Sequence, residues 1–256
     1  MSVLGVDIGG TGIKGAIVDV ETGSLLTERK RLLTPEGAKP EDVAQTTAQL
    51  VRQFNYEGAI GCGFPAPILS GVAMMAANIH ESWVGKNVDD LLTQATGSRT
   101  FTLNDADAAG IAEIQFGAGR GVRGVVLIIT LGTGIGTAIF SKGVLVPNAE
   151  FGHLKIRGKD AESRASDAAR ERKKLTWQKY ARRLQEYLSQ MEVLFWPELI
   201  IIGGGLSKNA NKFLPYLTLR TKIMPAQFLN NAGIVGAAVF ASQQLGGSAA
   251  SATAAK

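Results

Sequence analysis

The sequence predicts two related α/β domains facing a central cleft, and three observations carry that prediction. A glycine-rich hairpin pattern occurs twice, as "VLGVDIGGTGIKGAIVDV" (3–20) and "VVLIITLGTGIGTAIFSKGVLV" (125–146). At a fixed offset of 122, six of the eight positions from Gly10 to Ile17 coincide: Gly10/Gly132, Thr11/Thr133, Gly12/Gly134, Ile13/Ile135, Ala16/Ala138 and Ile17/Ile139. Each glycine turn leads into an alternating β-branched run and then a second turn, so both copies read as strand, turn, strand meanders. Each meander is then followed by helical and strand patterns, as a duplicated α/β unit requires.

The first turn also spells Gly10-Thr11-Gly12-Ile13-Lys14-Gly15, which fits the dinucleotide fingerprint G-x-G-x-x-G. That fingerprint needs its glycines to open a helix inside a βαβ unit. Here "GAIVDV" follows, so a nicotinamide-dependent oxidoreductase is set aside on context.

In chain order, Val3–Ile8, Lys14–Val20 and Leu25–Leu33 read as three strands. Residues 39–54 read as a helix with proline and acids at its start, and 58–68 as a buried strand entering a proline-rich loop. Residues 87–97 form a helix closed by glycine, 100–103 a strand, and 104–119 a helix opened by an Asn-Asp pair. After the second meander, 177–195 is a long amphipathic helix stopped before Pro197. Residues 198–207 are a buried strand emerging into three glycines, and 233–245 a last helix. The expected domains are 1–104, joined by helix 233–245, and 105–232; the low-complexity tail 246–256 reads as disordered.

At 256 residues, with 45% hydrophobic and 19% charged residues, the chain can bury a proper core. No signal peptide or membrane-length apolar run is visible. The single cysteine, Cys62, excludes an internal disulfide and a multi-cysteine metal site, which suits a reducing cytoplasm. The net charge of +5 is concentrated: between 164 and 183 there are eight Lys/Arg against Asp167 and Glu171. Such a block is ordinarily a solvated helix face, and alternatively a footprint for a polyanion.

A glycine turn lets several backbone N–H groups converge on one point, which makes a phosphate cradle. Gly9, Gly10, Thr11, Gly12 and Lys14 form one candidate cradle, and Gly132, Thr133 and Gly134 the other. Asp7, ending the first strand beside that cradle, is placed to hold Mg²⁺ through water. Asn104 and Asp105 lie where a strand passes into a helix. Both are ordinary helix caps, but a carboxylate there can also accept the proton of a substrate hydroxyl. Glu150 and His153, three apart, suit hydrogen bonding to vicinal hydroxyls. With only two histidines, His80 and His153, a multi-histidine metal site cannot be built.

The segments "DIGGTGIKGAIVD", "LNDADAAGIAE", "TLGTGIGTAI", "EFGHL" and "IIIGGGLS" resemble, in order and spacing over about residues 3–240, the ROK family of sugar kinases in the actin-like ATPase superfamily. The resemblance implies the actin-like (ribonuclease H-like) fold. It makes Asp7–Lys14 and the 132–136 turn phosphate motifs, Asn104 a sugar ligand, Asp105 the catalytic base and Glu150 with His153 sugar ligands. Gly203, Gly204 and Gly205 lie where the family receives the nucleoside. Many members carry a cysteine-rich zinc motif after the Gly-His dipeptide; here "LKIRGKDAESRASDAARERKK" has no cysteine, so no structural zinc is expected. This replacement is similar to the polyphosphate glucokinase branch, including the glucomannokinases, and makes Glu162 a further sugar ligand.

The resemblance also moves the basic block toward a polyphosphate track of Arg170, Arg172, Lys173, Lys174, Lys179, Arg182 and Arg183. It implies a cytoplasmic kinase that phosphorylates the 6-hydroxyl of glucose, and mannose, from inorganic polyphosphate and ATP with Mg²⁺. No nucleic-acid or membrane partner is expected; monomer and homodimer both suit the sequence. An ATP-only glucokinase or an N-acyl-hexosamine kinase is the alternative. A repressor of the same family would carry a helix-turn-helix first; the chain reaches Asp7 within six residues, so an enzyme is expected.

Overall fold

The computed structural model describes residues 1–77 and 79–254, the last eight of these by backbone alone. The chain divides into two compact units, Met1–Ala112 with the segment from Asn231, and Glu113–Asn230. The division falls within a continuous helix rather than at residue 104, where the sequence placed it.

In the first unit, β1 (Ser2–Gly9) pairs antiparallel with β2 (Gly12–Asp19). The stretch Leu25–Leu33, expected as one strand, is two: β3 (Ser24–Leu25) and β4 (Lys30–Leu32), each paired to a different part of β2. Helix α1 (Pro40–Arg52) begins on its proline, whose missing N–H costs nothing at that position. β5 (Ile60–Phe64) enters the loop carrying the short pair β6 (Ile68–Leu69) and β7 (Val72–Ala73). Helix α2 (Val88–Thr96) is capped by Asn87 Oδ1, which accepts from Asp90 N at 3.0 Å. It closes on Gly97 in the left-handed conformation. β8 (Thr100–Asn104) then runs straight into α3 (Asp105–Gln115).

The sheet order is β3-β2-β1-β5-β8, with β1, β5 and β8 parallel and their carboxyl ends aligned. The C-terminal helix (Ala232–Ala254) packs across β1 and β5 at backbone distance. A methyl group on Gly5 or Gly61 would strike the backbone of Ile234 or Ala237, and one on Gly236 that of Ala108. These three glycines are required by close approach alone. The helix is longer than the 233–245 expected and enters the stretch read as a disordered tail; residues 255 and 256 lie outside the described residues.

In the second unit, β9 (Val125–Leu131), β10 (Ile135–Ser141) and β11 (Val144–Val146) form the second meander. A small hairpin follows, β12 (Lys155–Ile156) and β13 (Lys159–Asp160), then α4 (Glu162–Ala165) and α5 (Asp167–Arg172). Helix α6 (Trp177–Phe195) buries Tyr180, Ala181, Leu184, Tyr187, Leu188 and Met191 on one stripe. Each of the buried leucines and the methionine stabilises by about 1.5–3 kcal/mol relative to exposure. β14 (Leu199–Gly203) lies parallel to β9, and β15 (Lys222–Pro225), absent from the sequence reading, completes the order β11-β10-β9-β14-β15.

Candidate active site

In the first unit the hairpin closes with Gly9 opposite Gly12 and Asp7 opposite Lys14. The Lys14 ammonium donates to Asp7 Oδ2 at 3.2 Å, with both side chains mostly shielded from solvent. Two carbonyls of the turn are engaged from behind: Thr34 Oγ1 donates to Gly9 O at 2.5 Å, and Arg31 Nη2 to Thr11 O at 2.8 Å. Arg31 went unnoticed in sequence because β4 brings it from 20 residues away. Gly12 is also explained by Arg31, since a Cβ there would meet the guanidinium.

Asp7 and Asp105 converge because parallel strands end in register. Asp7 pairs with Gly63 on β5, whose neighbours Leu103 and Asn104 on β8 lead into Asp105. A Cβ added to Gly63 would lie 3.7 Å from Asp105 Cα and 3.8 Å from Asp7 Oδ1, so its bare face lies beside both aspartates. Asn104 is buried and works as a cap: its Oδ1 accepts from Ala106 N at 2.9 Å and Asp107 N at 3.1 Å. Its side-chain amide group is not consumed by that role. Asp105 opens α3 and is partly exposed. Carboxyl ends of adjacent parallel strands are where open α/β sheets bind ligands.

The second unit assembles its candidates around the start of β10. Thr137, buried on that strand, donates to Ala149 O at 2.6 Å and accepts from Phe151 N at 3.0 Å, pinning the backbone on both sides of Glu150. Gly152 lies against Ile135, where any side chain would collide with Ile135 O. Glu162 Oε2 accepts from Ile135 N at 3.4 Å. Glu150, His153 and Glu162 are thus gathered by three successive contacts to one strand.

His153 stands between two carboxylates, its Nε2 3.8 Å from Glu150 Oε2 and its Nδ1 3.3 Å from Asp160 Oδ2. Asp160 is itself bonded to Lys155, its opposite number across the β12–β13 ladder. Burial pushes the Glu150 carboxyl up, against the pull of His153 and with a smaller push from Glu162. Asp160 is held below the usual range by its hydrogen bonds to Lys155 and then to His153. Asp160 was not among the predicted residues; the cross-strand position opposite Lys155 is its signal.

At the second glycine turn, Gly132 N donates to Gly134 O at 3.1 Å, and Ala168 N donates to Gly132 O at 3.1 Å. A Cβ at Gly132 or at Gly205 would meet nothing within 4 Å, and neither backbone is in the left-handed region. Neither packing nor φ asks for glycine at these two positions. Gly203 pairs with Thr130, and Gly204, left-handed, packs against the backbone of Leu131. The third glycine set therefore abuts the second turn.

The basic block separates into two groups. Arg170 donates to Asp167 at 2.8 Å and Glu171 at 3.2 Å, and stacks over Trp177 at 4.5 Å; it is committed to the fold. Arg164 and Arg157 share Glu186, at 2.6 and 2.5 Å. Arg172 and Lys173 both reach Ser163 O, at 3.4 and 3.5 Å. The Lys173 ammonium is held below the usual lysine range by partial desolvation and then by Arg183, Arg172, Lys159 and Arg164. Lys174, Lys179 and Arg182 are exposed.

The ROK family model matches residues 3–167. The chain belongs to the ROK family. It is 46% identical, over 92% of its length and 89% of the relative's, to a polyphosphate glucokinase of Mycobacterium tuberculosis strain CDC 1551 / Oshkosh. Among solved structures it is similar to the inorganic polyphosphate/ATP-glucomannokinase of Arthrobacter sp. strain KM, with 52% identity and a TM-score of 0.93, covering 95% of this chain and 99% of that one. A ROK family glucokinase from Streptomyces griseus, solved with glucose and AMPPNP, gives 26% identity and a TM-score of 0.83, covering 95% and 100%. The fold is thus the actin-like α/β fold of ROK sugar kinases. Among the described residues, no helix is long and apolar enough to cross a membrane.

Proposed function

We propose that this chain transfers the terminal phosphoryl group of inorganic polyphosphate, and of ATP, to the 6-hydroxyl of glucose, with mannose as a second acceptor. The observation that carries the donor side is the second glycine turn. Gly132 faces open space, and the segment that holds it, through Ala168, continues into a helix end where Arg172, Lys173 and Lys174 make no ion pair among the described residues. Relatives named polyphosphate glucokinase and inorganic polyphosphate/ATP-glucomannokinase support the same reading.

In this reaction the sugar O6 attacks the terminal phosphorus, the P–O–P bond breaks, and a polyphosphate shorter by one unit departs. The O6 proton passes to Asp105. Phosphoryl transfer has a loose transition state that asks little of a base, so the principal contribution of Asp105 is to hold O6 in line. Asn104 holds a sugar hydroxyl through its side-chain amide while its oxygen caps α3. Glu150, His153 and the second oxygen of Glu162 take the ring hydroxyls. The amides of each glycine turn bind phosphate oxygens, with Lys14 adding positive charge at the first; Gly203, Gly204 and Gly205 receive the nucleoside when ATP is the donor.

Magnesium needs only one or two carboxylates, with water and phosphate oxygens completing its shell, and Asp7 beside Asp105 fits that requirement. Bound there, it would neutralise charge on the donor phosphates. A cytoplasmic setting suits a chain whose one cysteine is buried. The test is a donor and acceptor comparison: polyphosphate against ATP, each with glucose, mannose and N-acetylmannosamine. Turnover of glucose with polyphosphate is the expected outcome. Turnover with ATP alone would make this an ATP-dependent glucokinase, and preference for the N-acyl sugar would overturn the acceptor.

A further inference from the structure

The second unit carries a cation cluster that the chemistry at the glycine turns does not use. Lys159 comes from β13, Arg172 and Lys173 from the end of α5, and Arg183 from α6. None of these four makes an ion pair among the described residues, whereas Arg157, Arg164 and Arg170 beside them are each paired with glutamate or aspartate. Arg172 and Lys173 converge on the same carbonyl, Ser163 O. Within the cluster, one buried polar atom lacks a hydrogen-bond partner, Arg183 Nη1. Like charges brought together with donors unsatisfied are costly unless an anion completes them.

The cluster also has a direction. Ala168 of α5 is bonded to the Gly132 carbonyl of the second turn, and Arg172 lies one turn further along the same helix, a rise of about 6 Å. A linear anion whose near end rests on that glycine turn would run along α5 into the cluster. A nucleoside triphosphate ends in a base instead and has no phosphates to place there.

We propose that Lys159, Arg172, Lys173 and Arg183 form an exosite for the distal phosphates of a polyphosphate chain, selecting long donors over short ones. This rests on the donor reading above and narrows it. Of the track expected from sequence, Arg170 drops out because Asp167 and Glu171 already hold it, and Lys159, which no helical spacing links to the block, enters it.

The double variant Lys159→Gln/Lys173→Gln tests the exosite, since both side chains are exposed and unpaired. Two charge-assisted contacts are removed, so the ratio of kcat/KM for long-chain polyphosphate over tripolyphosphate should fall at least about tenfold. Calorimetric titration of long-chain polyphosphate alone should show the same weakening. The slope of log affinity against log salt should become shallower by about one to two. An unchanged ratio and unchanged binding would overturn the exosite. So would equally tight binding of a single-stranded RNA of matched charge, which would make the cluster a general polyanion surface. If the wild type binds polyphosphate through these residues but never transfers from it, the exosite stands and the donor reading falls. If it turns polyphosphate over and the variant does so identically at every chain length, the exosite falls alone.

Discussion

The two glycine hairpins share six letters at a fixed offset, yet they are built to different specifications. In the first, Gly9 faces Gly12 across a two-residue turn; in the second, Leu131 faces Ile135 across three residues, so the ladder is displaced by one. The consequence falls on the base of each hairpin. At the third pair from the turn the first places Asp7 opposite Lys14, an ion pair, whereas the second places Ile129 opposite Thr137, with no charge. The first turn is braced by Arg31 and Thr34 of its own sheet; the second leans on Ala168, Glu162 and Gly204, which come from later in the chain. The Asp7–Lys14 ion pair and Asp105, the carboxylate proposed to meet O6, lie in the first unit; the uncharged turn, the groups proposed for the sugar hydroxyls and the cation cluster lie in the second.

The largest effect that separates the two is expected at Asp105. Asp105→Ala, which removes both the acceptor that holds O6 and the base, should lower kcat with glucose by about 10²–10⁴-fold. Glucose binding, read by calorimetry, should stay within about twofold. Near-normal turnover would break the division by removing the reacting group from the first unit.

Paired glycine substitutions sharpen the contrast. Gly12→Ala forces Arg31 off Thr11 O, a bond of 2.8 Å, and should lower Tm by about 2–4 °C, the effect of roughly 1 kcal/mol in a chain of this size. Gly132→Ala adds a methyl group to open space in an ordinary backbone region, so Tm should hold within about a degree while donor KM rises about tenfold. Thermal unfolding and donor kinetics on the two variants decide it. An unchanged donor KM in Gly132→Ala would leave its open space without a purpose.

What could be read in the sequence follows how local each signal is. Helix α6 begins and ends where predicted, because the stripe from Tyr180 to Met191, the Thr176 cap and Pro197 all lie within it or beside it. Leu25–Leu33 reads as one strand, but its two halves pair with different stretches of β2, a decision made by the partner strand. Among site residues, Asp7, Asn104 and Glu150 announce themselves as polar groups at strand ends and turns. Arg31 and Asp160 do not, since each acquires its role through a neighbour that only strand pairing supplies. The basic block shows the same boundary. Counting cations found it, but only the fold reveals that Glu186, more than 20 residues beyond Arg164, occupies one of them.

The smallest expected effect concerns pH, and it tells Glu150 from Asp160. Burial raises the Glu150 carboxyl, so its charge is lost at a higher pH than the ordinary glutamate value of about 4.3. If that carboxylate accepts a sugar hydroxyl, KM for glucose should be flat near neutrality and rise a few-fold as pH falls through this raised value. Asp160 is depressed by Lys155 and His153 and stays charged across the same window, so it cannot produce the limb. The two also differ in sign for stability. Protonating Glu150 relieves a desolvated charge, so Tm should hold or rise as KM worsens, whereas loss of Asp160's ion pair would destabilise only at still lower pH. Glu150→Gln should abolish the KM limb. A limb that survives in that variant, or that coincides with a fall in Tm, would move the sugar contact away from Glu150.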